Sequence, residues 1–368
     1  MQGQRRRHCN SPVIVPRRAR CMLQDDNHRT MSLPMNASSP RFQAPLWLPG
    51  GHAQTIWAAV QAQRLPGGRK PPLWRWERWD TPDGDFIDVA LSVQAGEACG
   101  RRPWLVLFHG LEGSAASHYA LALQYLAELR GWSMVVPHFR GCGGQPNRAA
   151  RAYHSGDADE ADWILRRLCL CAQGPLFAVG VSLGGNVLAR WAGLQGARAA
   201  DVVRALAVMS APLDLVAGGR ALGRGLNRWI YTPMFLRTLM PKALAKWEQF
   251  PGLFDREAVL RSRDLQDFDD AFTAPVHGFR DALDYWHRAS AKPVLADIRV
   301  PALLLNARND PFVPAASLPG ARDVGASVTL WQPEQGGHVG FVEGSWPGHV
   351  RAMPEAVMRW LAGHESKE

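Results

Sequence analysis

The 368 residues predict an α/β fold: a mostly parallel central sheet, helices on both faces, and a helical cap inserted between two strands. Three observations carry this prediction. Short apolar runs such as Trp104–Phe108 and Leu176–Val181 alternate with longer amphipathic stretches. The central runs are apolar throughout rather than at every second position, the pattern of strands covered on both faces. One stretch, residues 213–290, is far too long for an ordinary crossover and reads as helical.

Taken in order, Trp74–Trp79 reads as a strand, Thr81-Pro-Asp-Gly-Asp85 as a turn and Phe86–Val93 as a second strand, together an antiparallel edge hairpin. Trp104–Phe108 follows as a strand between Pro103 and Gly110. Ser117–Arg130 reads as a helix, with Gly131 where it should stop. Met134–Phe139 is the next strand. Asp157–Cys171 is the next helix, with acidic residues in its first turn and arginines later, as the helix dipole prefers. Leu176–Val181 runs as a strand into a glycine-flanked serine, and Asn186–Leu194 reads as helix. Val203–Met209, Pro301–Ala307 and Val328–Trp331 complete the strands, and Pro354–Ala362 closes the chain as a helix. Within 213–290 the aromatics Trp229, Tyr231, Phe235, Trp247 and Phe250 serve either to pack the cap or to face an apolar substrate.

Bulk properties narrow the function. A 46% hydrophobic and 20% charged composition is that of a globular enzyme. No apolar run approaches the roughly 18 residues of a membrane span, so no stable membrane insertion is expected. The net charge of +9 raises nucleic acid as a partner, yet seven arginines against Asp25 and Asp26 in residues 1–30 supply five of those nine charges. Clustered charge of that kind is a solvated tail, and no basic folded module accompanies it, so nucleic-acid binding is not expected. Residues 1–40 read as a disordered basic extension, with Met31 or Met35 as the initiator, ahead of a single domain over 41–368. Cys9, Cys21, Cys99, Cys142, Cys169 and Cys171 show no disulfide or metal spacing, and Cys169 and Cys171 read as small buried residues. A reducing, cytoplasmic location fits.

The chemistry centres on Gly180-Val-Ser-Leu-Gly184. A serine between glycines, after a buried strand and before a helix, occupies a tight turn that exposes its oxygen. Serine is a poor nucleophile until a base takes its proton, and that base needs a carboxylate to orient it. Downstream histidines are His277, His287, His338, His349 and His364. His338, in Gly336-Gly-His-Val-Gly340 just beyond a strand, is the preferred base, with His349 the alternative. Asp310, after the Leu303–Leu305 strand, is the preferred acid, with Asp214 the alternative. An oxyanion hole needs two amides. Leu183, next to the serine, and Leu111, in His109-Gly-Leu-Glu-Gly113, are the candidates; His109 itself reads as a structural hydrogen-bonding residue.

Eight ordered motifs then make the match specific. They are Gly51-His-Ala-Gln-Thr55, Phe108-His-Gly-Leu-Glu-Gly-Ser114, Pro137-His-Phe-Arg-Gly-Cys-Gly-Gly144, Tyr153-His-Ser-Gly-Asp157, Gly180-Val-Ser-Leu-Gly-Gly-Asn186, Thr273-Ala-Pro-Val-His-Gly-Phe279, Asn306-Ala-Arg-Asn-Asp-Pro-Phe312 and Gly336-Gly-His-Val-Gly-Phe341. Over residues 45–365 the chain resembles the YheT-type branch of the α/β-hydrolases. His138 stands where that branch commonly has Asn, and Ala53 where it has Leu. The resemblance implies a Ser182–Asp310–His338 charge-relay set and carboxylesterase or acylglycerol lipase activity on a hydrophobic ester or lipid. It implies neither a metal nor an organic cofactor.

Overall fold

The computed structural model describes residues 42–61, 73–92 and 101–365. The basic extension, Cys9, Cys21, Cys99 and Val93 lie outside the described residues. Eight strands form one sheet: β1 (Trp74–Asp80), β2 (Phe86–Ser92), β3 (Trp104–Phe108), β4 (Ser133–Pro137), β5 (Leu176–Val181), β6 (Ala205–Met209), β7 (Ala302–Leu305) and β8 (Val328–Trp331). Their spatial order is β1-β2-β4-β3-β5-β6-β7-β8. β1 and β2 make the expected antiparallel hairpin, β2 pairs antiparallel with β4, and every pairing from β4 to β8 is parallel.

Successive strand residues point to opposite faces, and both faces are apolar. In β3, Val106 and Phe108 join one core layer while Leu105 and Leu107 join the other; in β5, Ala178 opposes Phe177 and Val179 in the same way. The first layer is closed by α3 (Ala158–Cys171) through Ile164, Leu165 and Leu168, and by α4 (Leu183–Gln195) through Val187, Leu188 and Trp191. The second is closed by α2 (His118–Leu129) through Tyr119, Leu123 and Leu126, and by α11 (Ala352–Ala362) through Val357, Met358 and Leu361. Each such side chain removed from water stabilises the fold by about 1.5–3 kcal/mol. That explains the continuous apolar runs of the central strands.

Between β6 and β7 lie six helices: α5 (Leu215–Leu222), α6 (Gly225–Gln249), α7 (Arg256–Arg261), α8 (Leu265–Phe268), α9 (Ala274–His277) and α10 (Ala282–Ala289). Four of them start on an aspartate whose carboxylate accepts the amide three residues on: Asp214 from Ala217, Asp255 from Ala258, Asp264 from Asp267 and Asp281 from Asp284. Each cap satisfies a donor that the helix itself cannot. The interior of this layer is small, with Leu236, Phe254, Phe268 and Phe272 in one cluster and Leu215, Tyr285 and Trp286 in another.

Three expectations need correction. A helix not foreseen, α1 (Gly51–Gln61), precedes the hairpin. α4 begins at Leu183 rather than Asn186, because the serine turn feeds the helix directly. Cys169 is only half-buried and Cys171 is exposed: the first packs at the edge of the Ile164–Leu165–Leu168 stripe, and the second is the last residue of α3.

Candidate active site

Ser182 sits between β5 and α4 with φ +52° and ψ −118°, a conformation that L residues rarely adopt. Its neighbours hold it there. Its amide donates to the Met209 carbonyl at 2.8 Å, and its carbonyl accepts from Gly185 and Asn186 at 2.9 and 3.1 Å. The turn is so tight that a Cβ at Gly180 would lie 2.5 Å from the Gly184 carbonyl oxygen, and one at Gly184 would overlap the Phe108 carbonyl. Glycine is therefore required at both positions.

The hydroxyl of Ser182 lies 3.0 Å from His338 Nε2, and His338 Nδ1 lies 2.8 Å from Asp310 Oδ2. A proton on Nδ1 shared with the carboxylate leaves Nε2 free to accept from the serine. Asp310 is buried, and its other oxygen accepts the Phe312 amide at 2.8 Å and the Val313 amide at 3.3 Å. Phe312 packs against the imidazole with centroids 4.2 Å apart. All three groups come from the C-terminal ends of parallel strands, β5, β7 and just beyond β8, where α/β sheets place their ligands.

The loop after β3 brings Gly110 against the serine: a Cβ on Gly110 would lie 3.3 Å from Ser182 Cβ. His109 pins this loop, its Nδ1 donating to the Gly110 carbonyl at 2.8 Å and its Nε2 accepting the Phe139 amide at 3.1 Å. Burial pushes its pKa down to about 3, so it stays neutral and uses both nitrogens as hydrogen-bonding groups. Among the described residues, neither the Leu111 nor the Leu183 amide meets a protein acceptor. Both residues line a cavity of about 400 Å³ that also exposes Ser182 and His338. Phe235 and Leu239 from α6, Phe268 and Phe272 wall its far side. The residue after Leu111, Glu112, has φ +56° and accepts from the Tyr153 hydroxyl at 2.7 Å and from Lys242 of α6 at 2.8 Å.

The alternatives stand elsewhere. Asp214 caps α5. His349 forms a backbone bridge with Glu343, and its Nδ1 has no hydrogen-bond partner among the described residues. His277 and His287 lie on α9 and α10, and His364 bonds the Trp360 carbonyl.

Sequence reasoning missed the residues that hold the histidine loop in place. Thr55 Oγ1 accepts the His338 amide at 2.8 Å while donating to the Gly51 carbonyl at 2.7 Å. Gln54, fully buried, accepts the Gly336 amide at 2.9 Å and the Asn309 side chain at 3.1 Å. Gly51 fits against the Asn309 carbonyl, which a Cβ would overlap. A helix near the start of the chain thus braces the Asp310 and His338 loops more than 250 residues later. The only signal was two polar side chains inside the Gly51–Thr55 motif.

Residues 103–345 match the family model for the alpha/beta hydrolase fold. The chain belongs to that family. Within it, this hydrolase-fold chain is 42% identical over 290 residues to YheT of Escherichia coli K12, a protein provisionally named as an esterase, covering 78% of this chain and 84% of YheT. It is 30% identical over 310 residues to mouse phospholipase ABHD3, covering 80% of this chain and 74% of that protein. Est1E from Butyrivibrio proteoclasticus, solved with ferulic acid bound, shares the fold at a TM-score of 0.52 and 15% identity, over 80% of this chain and all of that one. Among the described residues, no helix is long and apolar enough to cross a membrane, and no group of three or more His, Cys, Asp or Glu could hold a metal ion.

Proposed function

We propose that this α/β hydrolase cleaves carboxylic esters through an acyl-enzyme intermediate, with Ser182 as nucleophile, His338 as general base and acid, and Asp310 as its orienting carboxylate. The observation that supports the reading is the unbroken chain from Ser182 Oγ through His338 to Asp310, opening on an apolar cavity. His338 Nε2 takes the serine proton as Oγ attacks the ester carbonyl. Charge then develops on the carbonyl oxygen, where the Leu111 and Leu183 amides donate. The imidazolium returns its proton to the leaving alcohol, and water activated by the same nitrogen releases the acid. Asp310 holds the imidazole in one tautomer and stabilises its charged form without taking the proton.

The cavity is of the size that accepts a small ligand, and its aliphatic and aromatic wall favours short- or medium-chain acyl groups, monoacylglycerols included. A phospholipid ester is the second reading, favoured by Lys242 and Lys246 in the same wall and by the name of the mouse relative. The decisive experiment is labelling with a fluorophosphonate, followed by a chain-length series of p-nitrophenyl esters beside lysophospholipids. Labelling and hydrolysis that vanish in Ser182→Ala are expected; retention of more than a few per cent of wild-type hydrolysis by that variant overturns the mechanism.

A further inference from the structure

Helix α6 carries an apolar stripe on its outer side. Leu226, Trp229, Ile230, Pro233 and Met234 fall at i, i+3, i+4, i+7 and i+8, the spacing by which a helix normally faces a core. Here the core-facing residues are others: Asn227, Tyr231, Thr232 and Leu236 are buried, while Trp229 is 78% exposed, Leu226 61%, Met234 44% and Ile230 39%. Two apolar faces on one surface helix call for two partners, and the described residues supply only one. The adjoining helix α1 extends the pattern. His52 meets Tyr231 at 3.2 Å, and the same side of α1 exposes Ile56 and Val60.

Charge identifies the second partner. From Leu215 to Trp247 the chain has no Asp or Glu but carries Arg220, Arg224, Arg228, Arg237, Lys242 and Lys246. Arg224, Arg228 and Arg237 are exposed, and among the described residues none of the three has an acidic partner. We infer that the outer face of α6 docks on an anionic lipid surface, with its apolar stripe at the headgroup–acyl boundary and its arginines among the headgroups. A second copy of the chain fits less well, because a self-paired face would set these arginines against their own counterparts. The inner side of the same helix walls the cavity with Phe235, Leu239 and Ala245, so docking sets the lipid at the rim of the site. This deepens the ester-hydrolase reading by naming where its substrate resides, and it rests on that reading.

The test is flotation of the full-length protein with vesicles of phosphatidylcholine alone and with 30% phosphatidylglycerol, at low and physiological salt. Expected is binding to the anionic vesicles that weakens with salt. A Trp229→Ser/Ile230→Ser/Met234→Ser variant should lose at least tenfold, and Arg224→Gln/Arg228→Gln/Arg237→Gln about fivefold per arginine. Both variants should hydrolyse a water-soluble short ester like wild type, which shows that they fold. The arginines of residues 1–30 are common to all and cancel in the comparison. Quenching by brominated lipid should be weaker in Trp229→Phe than in wild type. Equal vesicle binding by all variants, absence of binding by wild type, or a wild-type dimer that the serine variant makes monomeric each overturns the proposal. Ser182→Ala should bind vesicles unimpaired, so loss of the catalytic reading and loss of the docking surface are separate results.

Discussion

The strand ends and the inserted helices meet at one cavity but are built by opposite means. Ser182 and Asp310 follow β5 and β7, whose residues are all buried, His338 lies in the loop beyond the part-exposed edge strand β8, and among the described residues the five non-glycine residues with positive φ (Glu112, Ser182, Ser210, Val339 and Phe341) all lie in loops that follow strands. Each such conformation costs on the order of 1–3 kcal/mol, which persists only where the surroundings over-determine it. Helices α5–α10 have no comparable core. They hold to the sheet domain through an apolar cluster that joins Tyr231 and Phe235 to Phe312 and through polar contacts: Lys246 donates to the Asn147 and Ala149 carbonyls at 2.9 and 2.8 Å, the Ser155 amide to the Tyr285 hydroxyl at 2.8 Å, and Asn186 to the Ala289 carbonyl at 2.9 Å. The difference teaches a division of labour. A sheet layer with a deep apolar core holds Ser182, His338 and Asp310 in one hydrogen-bonded chain, while a layer with smaller apolar clusters is free to vary the shape of the cavity beside them.

The sharpest way to break that comparison is to replace, one at a time, the two aspartates that follow successive strands. Asp310→Asn should lower kcat about 10⁴-fold by favouring the wrong histidine tautomer. Asp214→Asn, at a helix cap, should leave kcat within a few-fold and cost about 1 kcal/mol or less of stability by urea unfolding. Similar losses in both would mean that the acid is not assigned correctly.

Thr55→Val tests whether the bracing by α1 matters to the reacting atoms. Removing the acceptor of the buried His338 amide should lower kcat roughly tenfold with KM little changed, and cost about 1–3 kcal/mol. Equal kcat would reduce Thr55 to packing. On the other side of the cavity, Phe235→Ala should move the optimum of an ester chain-length profile toward longer acyl groups by a few-fold in kcat/KM, and leave short esters unaffected.

The smallest expected effect concerns the seam between the two layers. His154 from the sheet domain and His277 from α9 meet edge to face with centroids 4.5 Å apart. Burial pushes both pKa values down to about 3, with Arg151 acting further on His154, and His154 on His277. In the unfolded chain each titrates near 6.5, so between these values the unfolded state binds protons that the folded state refuses. Stability is therefore fully present above about pH 6.5 and falls as pH drops below it, by up to about 1.4 kcal/mol per pH unit for each ring. His277→Gln should shrink the drop in urea midpoint between pH 7.5 and 5.5 by about one ring's share; an unchanged drop would show that this seam does not titrate.

How far the sequence could be read followed the range of the interactions. The strands were legible because burial on both faces leaves an unbroken apolar run, visible in β3 and β5 without any partner. The serine turn was legible because its glycines answer a local steric demand: a Cβ at Gly180 or Gly184 meets backbone a few residues away or in the neighbouring strand. The proximity of Ser182, Asp310 and His338 could be read from their positions after strands, and the three side chains do form one hydrogen-bonded chain. By contrast, α1 went unseen, since its purpose lies in Gln54 and Thr55 reaching loops more than 250 residues away.

Residue types and their spacing thus determined by themselves the class of fold, the turn that strains Ser182 and the choice of groups near it, because those depend on local backbone sterics and on one-dimensional hydrophobic pattern. Only the tertiary structure decided that Asp310 rather than Asp214 meets His338, that Lys242 reaches the Glu112 loop, and which side of α6 is left bare. Those outcomes depend on how separate elements pack against one another, and no spacing along the chain encodes the direction in which a helix finally faces.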